Sequence, residues 1–171
     1  MKGLGPRIPK SGEPCGLAAF LRKLVDIDMR SWYGRPRERR CPYISWWRDF
    51  DPATWEVCGP FHFCLYHGRD WYWQPHPAWC SLGKLGRCGQ NSIRLCLERP
   101  ELTYVEGVAW TLKGLIQHSW VVDRNGRIID PTWGDKEDHH PYFGVPFKTA
   151  YVRQVCAKGI RGSIVCNWHE G

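Results

Sequence analysis

Apolar residues return at helical intervals at Leu17, Phe20, Leu21, Leu24 and Val25, which is one stripe of an amphipathic helix. Pro14 suits a first helical turn and Glu13 complements the positive end of the dipole, so a helix is predicted from Pro14 to about Arg30. The pattern then breaks. Residues 42–80 carry twelve aromatic side chains, and Pro52, Pro60, Pro75 and Pro77 interrupt any long helix. Short turns and loops packed by large rings are expected there. A further helix is read over Asn91–Leu97, stopped near Pro100. Beyond it the composition turns β-rich: Thr103–Ala109 is one run, and Ser119–Asp123 and Arg127–Asp130 are two more. The last two flank Arg124-Asn125-Gly126, a hairpin signal. Helix followed by antiparallel strands predicts an α+β fold with an N-terminal helix and a small antiparallel sheet.

Composition sets the scale. The chain has 171 residues, 43% hydrophobic and 24% charged, one globular unit able to bury about 70% of its unfolded surface. Mean hydropathy is −0.48 and no apolar run approaches the roughly 20 residues of a membrane helix, so no membrane partner is expected. The opening MKGLGPRIPKSGEP lacks an apolar signal core. The 9 cysteines are odd in number and cannot all pair within the chain. Together these predict a cytoplasmic, reduced setting with thiols buried, catalytic or metal-bound.

The net charge of +7 is uneven: residues 1–40 hold 10 Lys and Arg against 4 Asp and Glu, and residues 41–171 hold 14 against 13. The chain is therefore read as a basic arm and N-terminal helix over 1–40 and a single domain over 41–171. Arg35, Arg37, Arg39 and Arg40 can attract an acidic protein or a nucleic acid. With no nucleic-acid-binding signature beside them, a solvated face is the simpler reading. Cys58, His62, Cys64, His67, His76 and Cys80 are possible zinc ligands. The spacing of Cys58, Cys64, His67 and Cys80 lacks the short paired cysteines of common structural zinc sites, which favours idle thiols.

The nucleophilic chemistry is more specific. A cysteine attacks as a thiolate, which a helix N-terminus and a neighbouring imidazolium both favour. Cys88 stands where a loop with Gly83 and Gly86 enters the predicted helix, with Gly89 giving room for close approach. Backbone N–H groups there, with the side chains of Gln90 or Asn91, are candidate oxyanion donors. His118 opens HSWVVD, and Asp130 closes the following strand. If Arg124-Asn125-Gly126 forms a three-residue loop, Asp123 pairs with Arg127, Trp120 faces Asp130, and His118 is the same-face diagonal neighbour of Asp130. A two-residue Asn125-Gly126 turn would put them on opposite faces. Glu106 is either a substrate contact or a paired structural carboxylate. Trp120 and Trp133 either wall a cleft or pack in the core. Cys80 is a rival nucleophile without a helix start behind it. Tyr142–Phe147 reads as a turn with anchoring aromatics, and Cys156 and Cys166 fall in a β-rich tail.

Cys88 before a helix, Thr103–Ala109 (TYVEGVA), His118-Ser119-Trp120 and Asp130-Pro131-Thr132 together resemble the transglutaminase-like core, a branch of the papain-like cysteine enzymes. The likeness covers about residues 83–135. It implies a papain-like or transglutaminase-like fold with Cys88, His118 and Asp130 as a catalytic triad. The Cys88–His118 interval is short for that family, so the sheet should be minimal. Residues 134–171 and the aromatic N-terminal half match none of its patterns. The bacteriocin-leader peptidases, also papain-like, carry a Gln six residues before the cysteine where this chain has Leu82, and so fit less well.

The expected function is therefore a cysteine-dependent acyl-transfer enzyme acting on a protein or peptide amide. Hydrolysis, as in a protease or deamidase, ranks first and transfer to an amine second. Neither requires a metal or other cofactor. The rival from another class is a non-enzymatic module in which the basic arm and aromatic block bind a partner, with zinc as a possible support.

Overall fold

The computed structural model describes residues 64, 67–111, 114–133, 141–159 and 164. The predicted helix at Pro14–Arg30, the arginines at 35–40, Cys58, His62 and Cys166 lie outside them.

Five strands form one antiparallel sheet: β1 (Arg69–Asp70), β2 (Thr103–Thr111), β3 (Gly114–Val122), β4 (Ile128–Ile129) and β5 (Tyr142–Phe147). Their spatial order is β1-β5-β2-β3-β4. Two helices accompany them, α1 (Cys88–Glu98) and α2 (Thr149–Ala157). The arrangement is α+β. Among the described residues no helix is long and apolar enough to cross a membrane.

Side chains alternate across a strand, so the long β2–β3 pair sorts its residues into two layers. Tyr104 and Val121 face the helices and join Ile93 and Cys96 of α1, Val152 and Val155 of α2, and Ile164. Ile93 and Cys96 stand three residues apart, on one helical face. The opposite face carries Val105, Ala109, Trp120, Val122, Ile128 and Tyr142, with Trp71 and the half-buried Trp133. There the sheet curls. The chain pairs with β5 at Arg69 and Asp70, and Tyr72 then bridges Arg127 beside β4. Residues 69–72 thus link the two ends of the sheet. They bury Trp71, whose indole N–H donates to the Gly144 carbonyl at 3.0 Å.

The β3–β4 hairpin has the register on which the sequence reading turned. Asp123 N–H donates to Arg127 O (3.1 Å) and Gly126 N–H to Asp123 O (2.9 Å). Gly126 has φ +74°, the left-handed conformation that suits glycine. Asp123 Oδ1 accepts from the N–H groups of Asn125 (2.8 Å) and Arg127 (2.9 Å), fixing a three-residue loop. Val122 then opposes Ile128, and Val121 opposes Ile129.

Several elements depart from expectation. His118 is the fifth residue of β3 rather than its first, because the strand starts back at Gly114. Tyr142–Phe147 is a strand, not a turn. Gly144 is needed where β5 presses on β2: a Cβ there would lie 2.6 Å from Glu106 O and 2.7 Å from the Trp120 ring. Pro146 falls beyond the residues that β1 covers, where its missing N–H is not called on by that strand. Cys156 lies on α2, since the β-branched Val152 and Val155 are three apart and make a helical buried stripe. The α1 helix starts at Cys88, earlier than the Asn91 start read from sequence.

Candidate active site

Cys88 is the first residue of α1. The turn before it is shaped by Gly86, at φ +76°, with Arg87 N–H donating to Lys84 O at 3.3 Å. The helix has no side-chain cap and no acidic residue in its first turn. Its positive end is therefore left for the thiol. Burial by itself would push the Cys88 thiol up. A hydrogen bond from His118, the imidazolium charge, and backbone N–H groups of Ser119 and Gly89 together bring it below its ordinary value.

His118 is buried on β3, opposite Gly107 of β2. Its Nε2 lies 2.6 Å from Asp130 Oδ2. That leaves Nδ1 as the nitrogen for the Cys88 thiol. Burial would lower the imidazole, but the charge and hydrogen bond of Asp130, with those of Cys88, raise it to about 9. Asp130, although buried, is held below the usual carboxylate range by His118, Tyr142 and the Thr132 N–H. Its four acceptor positions are all engaged. Oδ1 takes the N–H of Thr132 (2.8 Å) and Trp133 (3.2 Å), and Oδ2 takes His118 and the Tyr142 hydroxyl (2.7 Å).

Rings enclose the pair. Trp133 stacks on His118 with centroids 3.7 Å apart and planes within 8°. Trp120, two residues along the strand, lies 6.3 Å from the imidazole at 18°. Such stacking stabilises an imidazolium and excludes water from its bond to Asp130. Trp120 and Trp133, read from the sequence as either cleft wall or core, both pack in the cluster beside the imidazole. Trp120 is fully buried, and its indole N–H has no hydrogen-bond partner among the described residues.

The other expected contacts are placed differently. Asn91 Nδ2 donates to Lys84 O (2.9 Å) and Thr132 Oγ1 (3.0 Å), so both amide hydrogens are used and none is left for an oxyanion. Its effect is to tie the loop before Cys88 to the segment after Asp130, together with Gly83 N–H donating to Pro131 O at 2.6 Å. Gln90 is exposed and its Oε1 accepts from Arg87 at 3.1 Å. Glu106 sits on the helix-facing side of β2, opposite Ser119. Its buried carboxylate accepts from the Tyr104 hydroxyl (2.9 Å), Gln117 Nε2 (3.2 Å) and Ile164 N–H (2.7 Å). That is the paired internal carboxylate, not a group offered to a substrate.

Cys80 is buried and its thiol is pushed up, first by burial and then by the charge of Asp130, the opposite of an activated nucleophile. Among the described residues no three His, Cys, Asp or Glu side chains group as metal ligands. His76 Nε2 donates to the Cys80 carbonyl at 2.6 Å, and Cys64 is buried. Sequence reasoning missed Tyr142 as a partner of Asp130. The buried aromatic was visible, but nothing local showed where its hydroxyl would point.

What results is a thiol at an uncapped helix start, hydrogen-bonded to an imidazole whose far nitrogen is held by a buried carboxylate. In chemical terms this favours a thiolate–imidazolium pair. The chain matches no protein-family model, no curated protein and no solved structure.

Proposed function

We propose that this chain is a cysteine-dependent amide hydrolase with a papain-like or transglutaminase-like core, cleaving an amide of a protein or peptide through a thioester. Cys88 is the nucleophile, His118 the proton carrier and Asp130 its orienting carboxylate. The observation that carries the reading is the buried His118–Asp130 pair, 2.6 Å apart, with His118 lowering the thiol of Cys88 at the start of α1.

The thiolate attacks the carbonyl carbon. A C–S bond forms and the carbonyl pair moves onto oxygen. The N–H of Cys88, at the uncapped start of α1, is the donor placed to hold that oxyanion. The imidazolium then passes its proton to the amine nitrogen as the C–N bond breaks, which leaves a thioester. Water adds to the thioester while His118 takes its proton. Collapse releases a carboxylic acid and restores the thiolate. Asp130 keeps the proton on Nε2 whenever the ring is neutral, so the lone pair on Nδ1 always faces the sulfur.

Limiting iodoacetamide at about pH 6, followed by mapping of the labelled thiols, tests this directly. Cys88 should react ahead of the other cysteines, and the preference should vanish in His118→Ala. Slow, even labelling across several cysteines would overturn the proposal.

A further inference from the structure

Asp130 Oδ2 serves two donors at once. The imidazole nitrogen is 2.6 Å away and the Tyr142 hydroxyl 2.7 Å. All three side chains are buried. Tyr142 arrives from β5, where it pairs with Ala109 of β2 and sets its ring edge-on to Trp120, centroids 4.9 Å apart. The strands are brought this close by the Gly107–Gly144 pair. A Cβ on Gly107 would collide with the Phe143 carbonyl oxygen and Gly144 Cα.

The carboxylate does not need the hydroxyl to stay in place. Oδ1 is already anchored by the backbone N–H groups of Thr132 and Trp133. What the hydroxyl changes is the negative charge that Oδ2 can offer the imidazole. An imidazolium held too strongly is a poor acid, and the departing amine of an amide must be protonated.

Resting on the proposed role of Cys88 and His118, we propose that Tyr142 is a positioning residue for proton transfer: its hydroxyl shares Asp130 Oδ2 with the imidazole, weakens the hold on the imidazolium, and so keeps His118 able to release its proton to the leaving group. The titratable groups facing this carboxylate are His118 from β3, Tyr142 from β5 and Cys80 from the loop before α1. Cys88 faces the imidazole from α1.

The test is Tyr142→Phe, which removes one hydroxyl and keeps the ring. The His118 imidazole is followed by NMR through pH, and Cys88 alkylation by iodoacetamide is followed in parallel. The imidazole titration should rise by about half to one pH unit. Fluorotyrosine at position 142, a stronger donor, should move the titration the other way, and it serves if the Phe variant does not fold. An unmoved titration, or one shifted down in Tyr142→Phe, overturns the inference. Selective Cys88 labelling in the unaltered chain alongside an unmoved titration would sink this inference alone. Unselective labelling would sink it together with the proposed function.

Discussion

Replacing Asp130 with Asn changes the charge of the site while keeping its shape. The amide oxygen can still accept from the Thr132 and Trp133 N–H groups. The amide nitrogen then faces His118 Nε2 and the Tyr142 hydroxyl, and it can only donate. His118 must answer by turning Nε2 into an acceptor, which moves its proton to Nδ1, toward the sulfur. Although burial opposes it, the imidazole is raised from 6.5 to about 9, with Asp130 the foremost contributor; that span is worth about 3 kcal/mol. Without it the imidazolium is no longer favoured in its buried place. The Cys88 thiol is then left with the burial that pushes it up. At about pH 6 its thiolate fraction should fall, and although higher intrinsic nucleophilicity returns part of the loss, alkylation should be roughly 10-fold or more slower. The assay is the rate of Cys88 alkylation by iodoacetamide from about pH 5 to 10, read by mass spectrometry, with urea unfolding to check the fold. The two proteins should converge at the alkaline end, where any thiol ionises. An Asp130→Asn protein that folds and reacts at the unaltered rate near pH 6 would refute the reasoning.

Three further outcomes follow from the same geometry. The folded value of His118 lies above its unfolded one, so its contribution to stability is complete below pH 6.5 and is lost as pH rises through about 9. Asp130, depressed below 3.8, contributes above that value and loses its share on acidification. Cys88, lowered from 9.0, has the opposite sign over the same window, so the His118 share is read in Cys88→Ala: urea unfolding there should show stability falling from about pH 7 to 9, with a flatter slope when Asp130→Asn is added; equal slopes would count against the linkage. Gly107→Ala places a Cβ against the Phe143 carbonyl and Gly144 and should cost about 2–3 kcal/mol or more in urea unfolding, since backbone must move. Glu106→Gln puts amide hydrogens among donors that the carboxylate now satisfies. It should cost about 1–3 kcal/mol while Cys88 alkylation stays within about twofold, and a loss as large as that of Asp130→Asn would instead tie Glu106 to the reaction.

The parts legible in the sequence are those fixed by neighbours along the chain. Gly126 suited the third position of one of the two loops that the sequence allowed; with that loop formed and Asp123 accepting from two N–H groups, the two-residue period of a strand puts His118 and Asp130 on one face. Cys88 at a helix start followed from the glycines before it. What stayed hidden depends on groups far apart in sequence. Gly144 and Pro146 read as turn punctuation because the close approach to Glu106 O and Trp120 that demands glycine is made across the sheet. Asn91 looked like an oxyanion donor until its partners, Lys84 O and Thr132 Oγ1, were brought beside it. Trp71 was one ring among many, and only the path of residues 69–72 across the curl singles it out.

The short run Asp130-Pro131-Thr132-Trp133 accounts for more of the site than its length suggests. Pro131 cannot donate to a ladder and its φ is fixed. Its carbonyl goes to Gly83 N–H instead of to a strand partner. Asp130 Oδ1 folds the next two N–H groups back on itself, so β4 ends after Ile129 and its register with β3 stops at Val121 and Val122. The edge of β3 at Ser119 is consequently uncovered. Its N–H, which a longer β4 would have taken, helps to lower the Cys88 thiol, and Ser92 of α1 reaches the Ser119 carbonyl at 3.0 Å. The same bend lays Trp133 over the imidazole. Terminating the strand, opening the sheet edge to the helix start and covering the histidine are thus one event of chain geometry. Its cause is a proline that stops the ladder one residue after the carboxylate that needs to be there.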